Sequence, residues 1–135
     1  AAAMAACMVH RERTVLAVLG DGDFLMTVQD LETAVRERLD IKVLVLNDFQ
    51  YRVLNLRQKI QFGGRILGTE HGNPDFAGLA RCFGASGYRL DSPEQIAQVL
   101  DLALSQKGPV VIDVIIDRED LPPMNVEATL RMSAA

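Results

Sequence analysis

Tryptophan is absent from the chain, and cysteine and histidine occur only twice each. The two cysteines, Cys7 and Cys82, have no paired-ligand spacing, and both are read as buried, reduced and structural. Basic residues are not in excess. Fourteen Lys and Arg face eighteen Asp and Glu, a formal charge of −4, which leaves no basic stripe for nucleic acid. Arg11, Arg13, Arg36 and Arg38 alternate with acids, as on a solvated face. No apolar run approaches the ~20 residues that span a bilayer. The Ala-rich opening has no basic leader region, so cytoplasm is the default location. Neither GxGxxG nor GxSxG occurs, and no Cys–His pair suggests a covalent nucleophile.

What is present is an ordinary α/β composition, 49% apolar and 24% charged over 135 residues, enough for one domain. The organising stretch runs from Thr14 to Gln50. An apolar run, Val15 to Leu19, stops at Gly20-Asp21-Gly22, and a second, Val43 to Leu46, stops at Asn47-Asp48. Between them Val28, Leu31, Ala34, Val35 and Leu39 recur at helical spacing. Two strands around a helix form a right-handed parallel βαβ unit. Asp21 and Asp48, 27 positions apart, therefore meet at the carboxyl edge of the sheet, where open α/β folds bind ligands.

Along the chain, residues 1–9 read as a small-residue helix that starts without a cap, as if cut from something longer. His10 belongs to a polar surface connection. Strand one, Thr14–Leu19, is expected to be covered on both faces. A helix over about 27–38 follows, capped by Thr27 and with Asp30 in its first turn. Strand two is Ile41–Leu46, and a short helix covers Asp48–Leu56. Residues 57–75 read as a long loop, either a flexible border of the site or, through Gly63-Gly64, a phosphate cradle. His71 sits in it, the histidine best placed for chemistry, though a plain loop position is the simpler reading. Asn73 caps a helix over Phe76–Phe83 with Pro74 at its start, and Gly84 closes it. A strand at Tyr88–Leu90, a helix carrying Ile96, Val99, Leu100, Ala103 and Leu104 on its apolar face, and a central strand Val110–Ile116 complete an α/β domain over residues 1–117. Residues 118–135 form a tail, with Met124–Met132 either a peripheral helix or frayed.

At the sheet edge, Asp21 between two glycines allows close approach of main-chain N–H groups to a ligand. Asp48 ends the next strand, and Gln50 offers its carbonyl. Two carboxylates and a carbonyl supply half of an octahedral Mg²⁺ shell, with diphosphate oxygens and water completing it. The plainer alternative is that both aspartates only cap turns. A Ca²⁺ loop fits worse, since Asp21-Gly22-Asp23 lacks the later ligands.

GDG, about two dozen residues, then Asn47-Asp48 resembles the cofactor motif of thiamine-diphosphate enzymes. DFLMTVQDLETAVRERLDIKVLVLND, NPDFAGLARCFGASGYRL and GPVVIDVIID resemble the acetolactate synthase large subunit and its relatives. The resemblance covers nearly the whole chain and implies the C-terminal, diphosphate-binding domain, a mostly parallel sheet flanked by helices that lacks its N-terminal part here. It implies thiamine diphosphate and Mg²⁺ as cofactors, with Asp21, Asp48 and the Gln50 carbonyl on the metal. Asp48 takes the place of the second Asn of the usual pair, as in catabolic acetolactate synthases. Gly20, Asp21, Gly22, Asp23, Asn47, Gln50, Tyr51, Val53 and Leu54 would contact the cofactor. Gly22 and Asp23 would give N–H groups to the diphosphate, and Val53 and Leu54 would lie near the thiazolium and substrate. Asp23 departs from the family's small residue and adds negative charge. Arg57 departs from the tryptophan of the anabolic synthases.

The resemblance further implies a 2-oxo acid decarboxylase or carboligase with pyruvate as donor, connected with branched-chain amino acid biosynthesis. The glutamate that activates the aminopyrimidine belongs to a separate N-terminal domain, normally of a second subunit. No catalytic residue is therefore assigned in this chain, which by itself is expected to be inactive. Its expected partners are that pyrimidine-binding domain, a 2-oxo acid substrate and further copies of itself, but neither nucleic acid nor membrane. Another reading is a non-catalytic binding module that keeps the fold. A phosphotransfer receiver fits less well, lacking the acidic cluster and the lysine after the last strand. Uncovered apolar surface on such a domain would favour self-association.

Overall fold

The structure, a computed structural model, describes residues 1–119. The tail expected from 118 onward, with its Met124–Met132 segment, falls from residue 120 outside the described residues. Four strands, β1 (Val15–Gly20), β2 (Ile41–Asn47), β3 (Ser86–Leu90) and β4 (Val110–Ile115), lie in the order β1-β2-β4-β3. All three pairings are parallel. Register sets Gly20 opposite Leu46 and Asn47 opposite Ile115. The acidic ends of β1 and β2 are thus neighbours on one edge, and the β-branched β4 is central, both as the sequence reads.

Side chains alternate across the sheet because successive Cβ atoms point to opposite faces. On one face Val15, Ala17, Leu19, Ile41, Val43, Val45 and Val111 pack against α1 (Ala2–Val9), α2 (Asp21–Thr27), α3 (Asp30–Arg36) and α5 (Phe76–Cys82). Phe24 of α2 meets Phe76 of α5 edge-on, with ring centroids 5.3 Å apart. On the other face Leu90, Val110 and Ile112 pack under Val99 and Ala103 of α6 (Ile96–Ser105). α5 presses so closely on β3 that a Cβ on Gly87 would collide with the Ala77 carbonyl.

Several expectations are corrected. β1 is an edge strand in the described sheet, with Leu16 55% and Val18 57% exposed on the same face as α6, which does not extend over β1. An unbroken apolar run therefore did not mean burial on both sides. The single helix over 27–38 is two short helices, because the chain turns helical at Asp21 directly after β1. Thr27 ends α2, its hydroxyl donating to the Asp23 carbonyl (3.2 Å), and caps nothing, whereas Asp30 does lie in the first turn of α3. The helix placed at Asp48–Leu56 is α4 (Arg52–Gln61), which shortens the long loop at its start. Asp75, not Asn73, caps α5 by accepting from the Gly78 N–H (2.9 Å), so Pro74 lies outside the helix. Ile96 and Leu104 are exposed on α6, as is Cys82 on α5. Cys7 is buried, and burial with the nearby Asp40 charge pushes its thiol pKa up.

At the amino edge of the sheet, Lys42 on β2 is fully buried. Its Nζ donates to Asp40 Oδ1 (2.7 Å) and to the carbonyls of Gln106 (2.7 Å) and Gly108 (2.9 Å). A buried ammonium persists only when its donors are met. Burial pushes the Asp40 carboxyl up, but the bonds and charges of Lys42 and Lys107 outweigh it and hold the pKa below the usual range. That stabilisation is present above the unfolded carboxylate pKa, about 3.9, and is lost as pH falls through the lower folded value. Lys42→Met is expected to lower stability by roughly 3–5 kcal/mol at neutral pH, and by less in acid. Urea unfolding at pH 7 and pH 3 measures both.

Candidate functional site

After β2 the backbone enters the left-handed region at Phe49 (φ 61°), an uncommon conformation for a side chain of this size. This turn aims the Phe49 N–H back at β1, where it donates to Asp21 Oδ2 (2.8 Å). Residues 49–51 then lie antiparallel to 69–71. Tyr51 N–H donates to the Thr69 carbonyl (2.8 Å) and His71 N–H to the Phe49 carbonyl (3.2 Å). The loop is thereby fixed across the end of the sheet, and Asn73 reaches the site.

Asn73 Nδ2 donates to both Asp21 Oδ2 (2.6 Å) and Asn47 Oδ1 (2.7 Å). Asn47 Nδ2 donates onward to Asp113 Oδ1 (2.8 Å) on β4, and Arg89 lies 3.4 Å from Asp113 Oδ2. With its amide nitrogen so engaged, Asn73 Oδ1 is left to accept from His71 Nδ1 (2.7 Å). The proton therefore sits on Nδ1 in the neutral ring. His71 Nε2 is buried without a hydrogen-bond partner among the described residues, 3.9 Å from Asp21 Oδ1, and the ring lies 4.7 Å from that of Tyr51.

Asp21 opens α2, whose first-turn N–H groups lack intrahelical acceptors. One of these, the Gly22 N–H, donates to Asp21 Oδ1 (2.8 Å). In the described structure it is thus taken by the aspartate and not held out for a ligand. Asp48 Oδ2 accepts from Arg52 Nε (2.6 Å) and Gln50 Nε2 (3.0 Å), while its Oδ1 accepts no hydrogen bond among the described residues. The Gln50 carbonyl accepts from the Arg52 N–H (2.9 Å), and Arg52 Nη2 donates to the Asp117 carbonyl (2.6 Å).

The acidic ends of β1 and β2 border a cavity of about 880 Å³. Gly20, Asp21, Gly22, Asp23, Asp48, Gln50, Tyr51, Val53 and Leu54 line it. Asn47 does not, being buried behind the edge. The Tyr51 ring fills the space a Cβ would take on Gly22. Arg57 is exposed on α4 and does not line the cavity. The sequence reading missed Met26, Leu46, Arg52 and Ile116 in the lining, and the polar support from His71 and Asn73. In the sequence His71 stands out by position alone. Nothing in local pattern separates Asn73 from an ordinary cap.

Residues 1–114 match the family described as thiamine pyrophosphate enzyme, C-terminal TPP binding domain. The chain belongs to this family. It is 39% identical over 118 residues to acetolactate synthase of Bacillus subtilis (strain 168), covering 87% of this chain and 20% of that protein. It is 34% identical over 120 residues to the catabolic acetolactate synthase of Raoultella terrigena, covering 89% and 21%. Among solved structures, benzoylformate decarboxylase from Polynucleobacter necessarius superposes with a TM-score of 0.80 at 25% identity, covering 90% of this chain and 23% of that one. The chain spans about a fifth of the length of the curated relatives it matches.

For this thiamine pyrophosphate domain the donor types suit a hard cation, since Asp21, Asp48 and Gln50, all oxygen-bearing, line one cavity. No group of three or more His, Cys, Asp and Glu able to hold a metal occurs among the described residues. A cation here would therefore depend on the main-chain carbonyl and on ligand oxygens. No helix among the described residues is long and apolar enough to cross a membrane.

Burial pushes the Asp113 carboxyl above the usual range, against the opposing bond from Asn47 and the charge of Arg89. A raised folded pKa means that the native state binds the proton more tightly, so stability falls as pH rises from about 3.9 through the folded value. Asp113→Asn is expected to remove this slope and to be at least as stable as the parent at pH 8, with no advantage at pH 4. Urea midpoints at the two pH values decide it. Asn73→Leu strips a partner from Asp21, Asn47 and His71 together and is expected to cost about 2–4 kcal/mol, read from the same unfolding curves.

Proposed function

We propose that this domain supplies the metal–diphosphate half of the site in an acetolactate synthase-like 2-oxo acid decarboxylase or carboligase, with pyruvate as donor. The observation that carries the proposal is the juxtaposition of Asp21 and Asp48 across paired parallel strands, at a cavity shared with Gly20 and Gly22. Asp21, Asp48 and the Gln50 carbonyl would hold Mg²⁺. The Asp23 N–H, in the first turn of α2 where the helix itself offers no acceptor, would face the diphosphate, with Gly22 beside it. Val53 and Leu54, 71% and 49% exposed, would form the apolar wall toward the thiazolium and substrate. When bound, thiamine diphosphate supplies the electron sink for decarboxylation. This chain's residues anchor and orient it.

The proton relay to the aminopyrimidine is assigned to a pyrimidine-binding domain of the same or another subunit, so the chain by itself is proposed to be inactive. The uncovered apolar side chains of β1, Leu16 and Val18, and those of the cavity wall support association with such a domain and with further copies. The likeness to acetolactate synthases supports a place in branched-chain amino acid biosynthesis as part of this proposal, and a cytoplasmic setting is proposed with it. A non-catalytic module retaining the fold is the competing reading. It draws on the Arg52–Asp48 pair, which leaves a cation one carboxylate oxygen fewer.

Calorimetric titration of thiamine diphosphate with and without Mg²⁺ separates the two. Mg²⁺-dependent binding that weakens at least tenfold (about 1.4 kcal/mol) in Asp48→Ala is the expected result. Absence of binding to folded protein would favour the non-catalytic module.

A further inference from the structure

The cavity is lined by three carboxylates, Asp21, Asp23 and Asp48, and by a single basic side chain among the described residues, Arg52. Arg52 is the first residue of α4, and its side chain is only 19% exposed. Its Nε donates at 2.6 Å to Oδ2 of Asp48, whose side chain is 5% exposed, and its Nη2 is tied to the Asp117 carbonyl. A guanidinium held this close to a buried carboxylate is poorly screened by solvent and cancels most of its field. A divalent ion approaching Oδ1 of the same carboxylate would meet that positive charge at close range. The planar fork of a guanidinium is also suited to phosphate oxygens, which it binds through paired N–H groups.

We propose that Arg52 is a resident cation of the site: it competes with the divalent ion for Asp48 and takes part of the diphosphate's negative charge itself. The inference rests on the reading of Asp48 as a metal ligand at a diphosphate site. It gives the domain a weaker affinity for free cation than two carboxylates alone would have, and an affinity for diphosphate that does not vanish when the metal is removed. Metal and anion then load best together, since the anion offers Arg52 a new partner as the cation takes Asp48.

The test uses the full chain, with Mn²⁺ binding followed by water-proton relaxation and inorganic pyrophosphate binding followed by calorimetry in EDTA. Arg52→Met is expected to bind Mn²⁺ alone roughly tenfold tighter or more, and metal-free pyrophosphate at least about tenfold weaker. Arg52→Lys keeps the charge and loses the fork, so its Mn²⁺ affinity should stay near the parent's while pyrophosphate binding weakens. Unchanged affinities in Arg52→Met overturn the proposal. So does weaker Mn²⁺ binding in that variant, which would make Arg52 an orienting support for Asp48. Should Arg52→Met fail to fold, Arg52→Lys decides: weakened pyrophosphate with parental Mn²⁺ affinity supports the proposal, and parental values for both overturn it. If the folded parent binds neither Mn²⁺ nor Mg²⁺–pyrophosphate, the site reading itself fails and this inference falls with it.

Discussion

The Asp21 carboxylate is the constraint on which the carboxyl edge of this sheet depends. It accepts from the Gly22 N–H of its own helix, the Phe49 N–H beyond β2, and the Asn73 amide of the distant loop. Three segments separated in sequence by 28 and 52 residues are thereby fixed on one buried anion. Charge-assisted bonds of this kind are stronger than neutral ones, and leaving any of the three donors without an acceptor inside the fold would be costly. The left-handed turn at Phe49 is held in this setting, because relaxing it would withdraw the N–H from Asp21.

From Asp21 the order spreads inward. Asn73 passes it to Asn47, and Asn47 to Asp113 on the central strand, each amide with its donor and acceptor ends already assigned. A chain of fixed polarity holds the edge in one arrangement before any ligand arrives, which is what an electrostatically demanding site requires. The buried Asp113 at the end of that chain is a local cost, since burial disfavours its charge. Its retention beside Asn47 is intelligible as the terminus that orients the amides.

The sequence made the scaffold readable and the wiring much less so. Val15–Leu19 and Val110–Ile116 read as strands by their apolar and β-branched runs, and the acidic stops after the first two strands do fall side by side on one edge of the sheet. These signals are local or periodic. The corrections concern what only tertiary contact decides. Leu16 and Val18 look like core residues in one dimension, yet they lie on an edge strand that α6 does not reach. Asn73 before Pro74 and Asp75 has the composition of a cap, but Asp75 takes that task and frees Asn73 for Asp21 and Asn47. Helical spacing put Ile96 and Leu104 on the face of α6 with Val99 and Ala103, although only the latter pair meets the sheet. Arg52 gave no signal, because an arginine at the start of an exposed helix is unremarkable until its carboxylate partner is known.

The cavity itself divides into two chemistries. Its floor carries Asp21, Asp48, Gln50 and the glycine-flanked start of α2, and its wall carries Met26, Leu46, Val53, Leu54 and Ile116. On the floor, Asp21 is tied through Asn73 and Asn47 to Asp113 of the central strand. The wall side chains are largely exposed, Met26 at 62% and Val53 at 71%. A small inorganic ion would use only the floor, and a purely apolar ligand would leave the carboxylates and Arg52 without purpose. A ligand with a charged phosphate end and an apolar ring system engages both. Under the proposed function, the outer face of that ring would lie open on this chain, where the proposed partner domain would meet it. The same exposure that makes the wall look unfinished in this chain is what a partner domain would close.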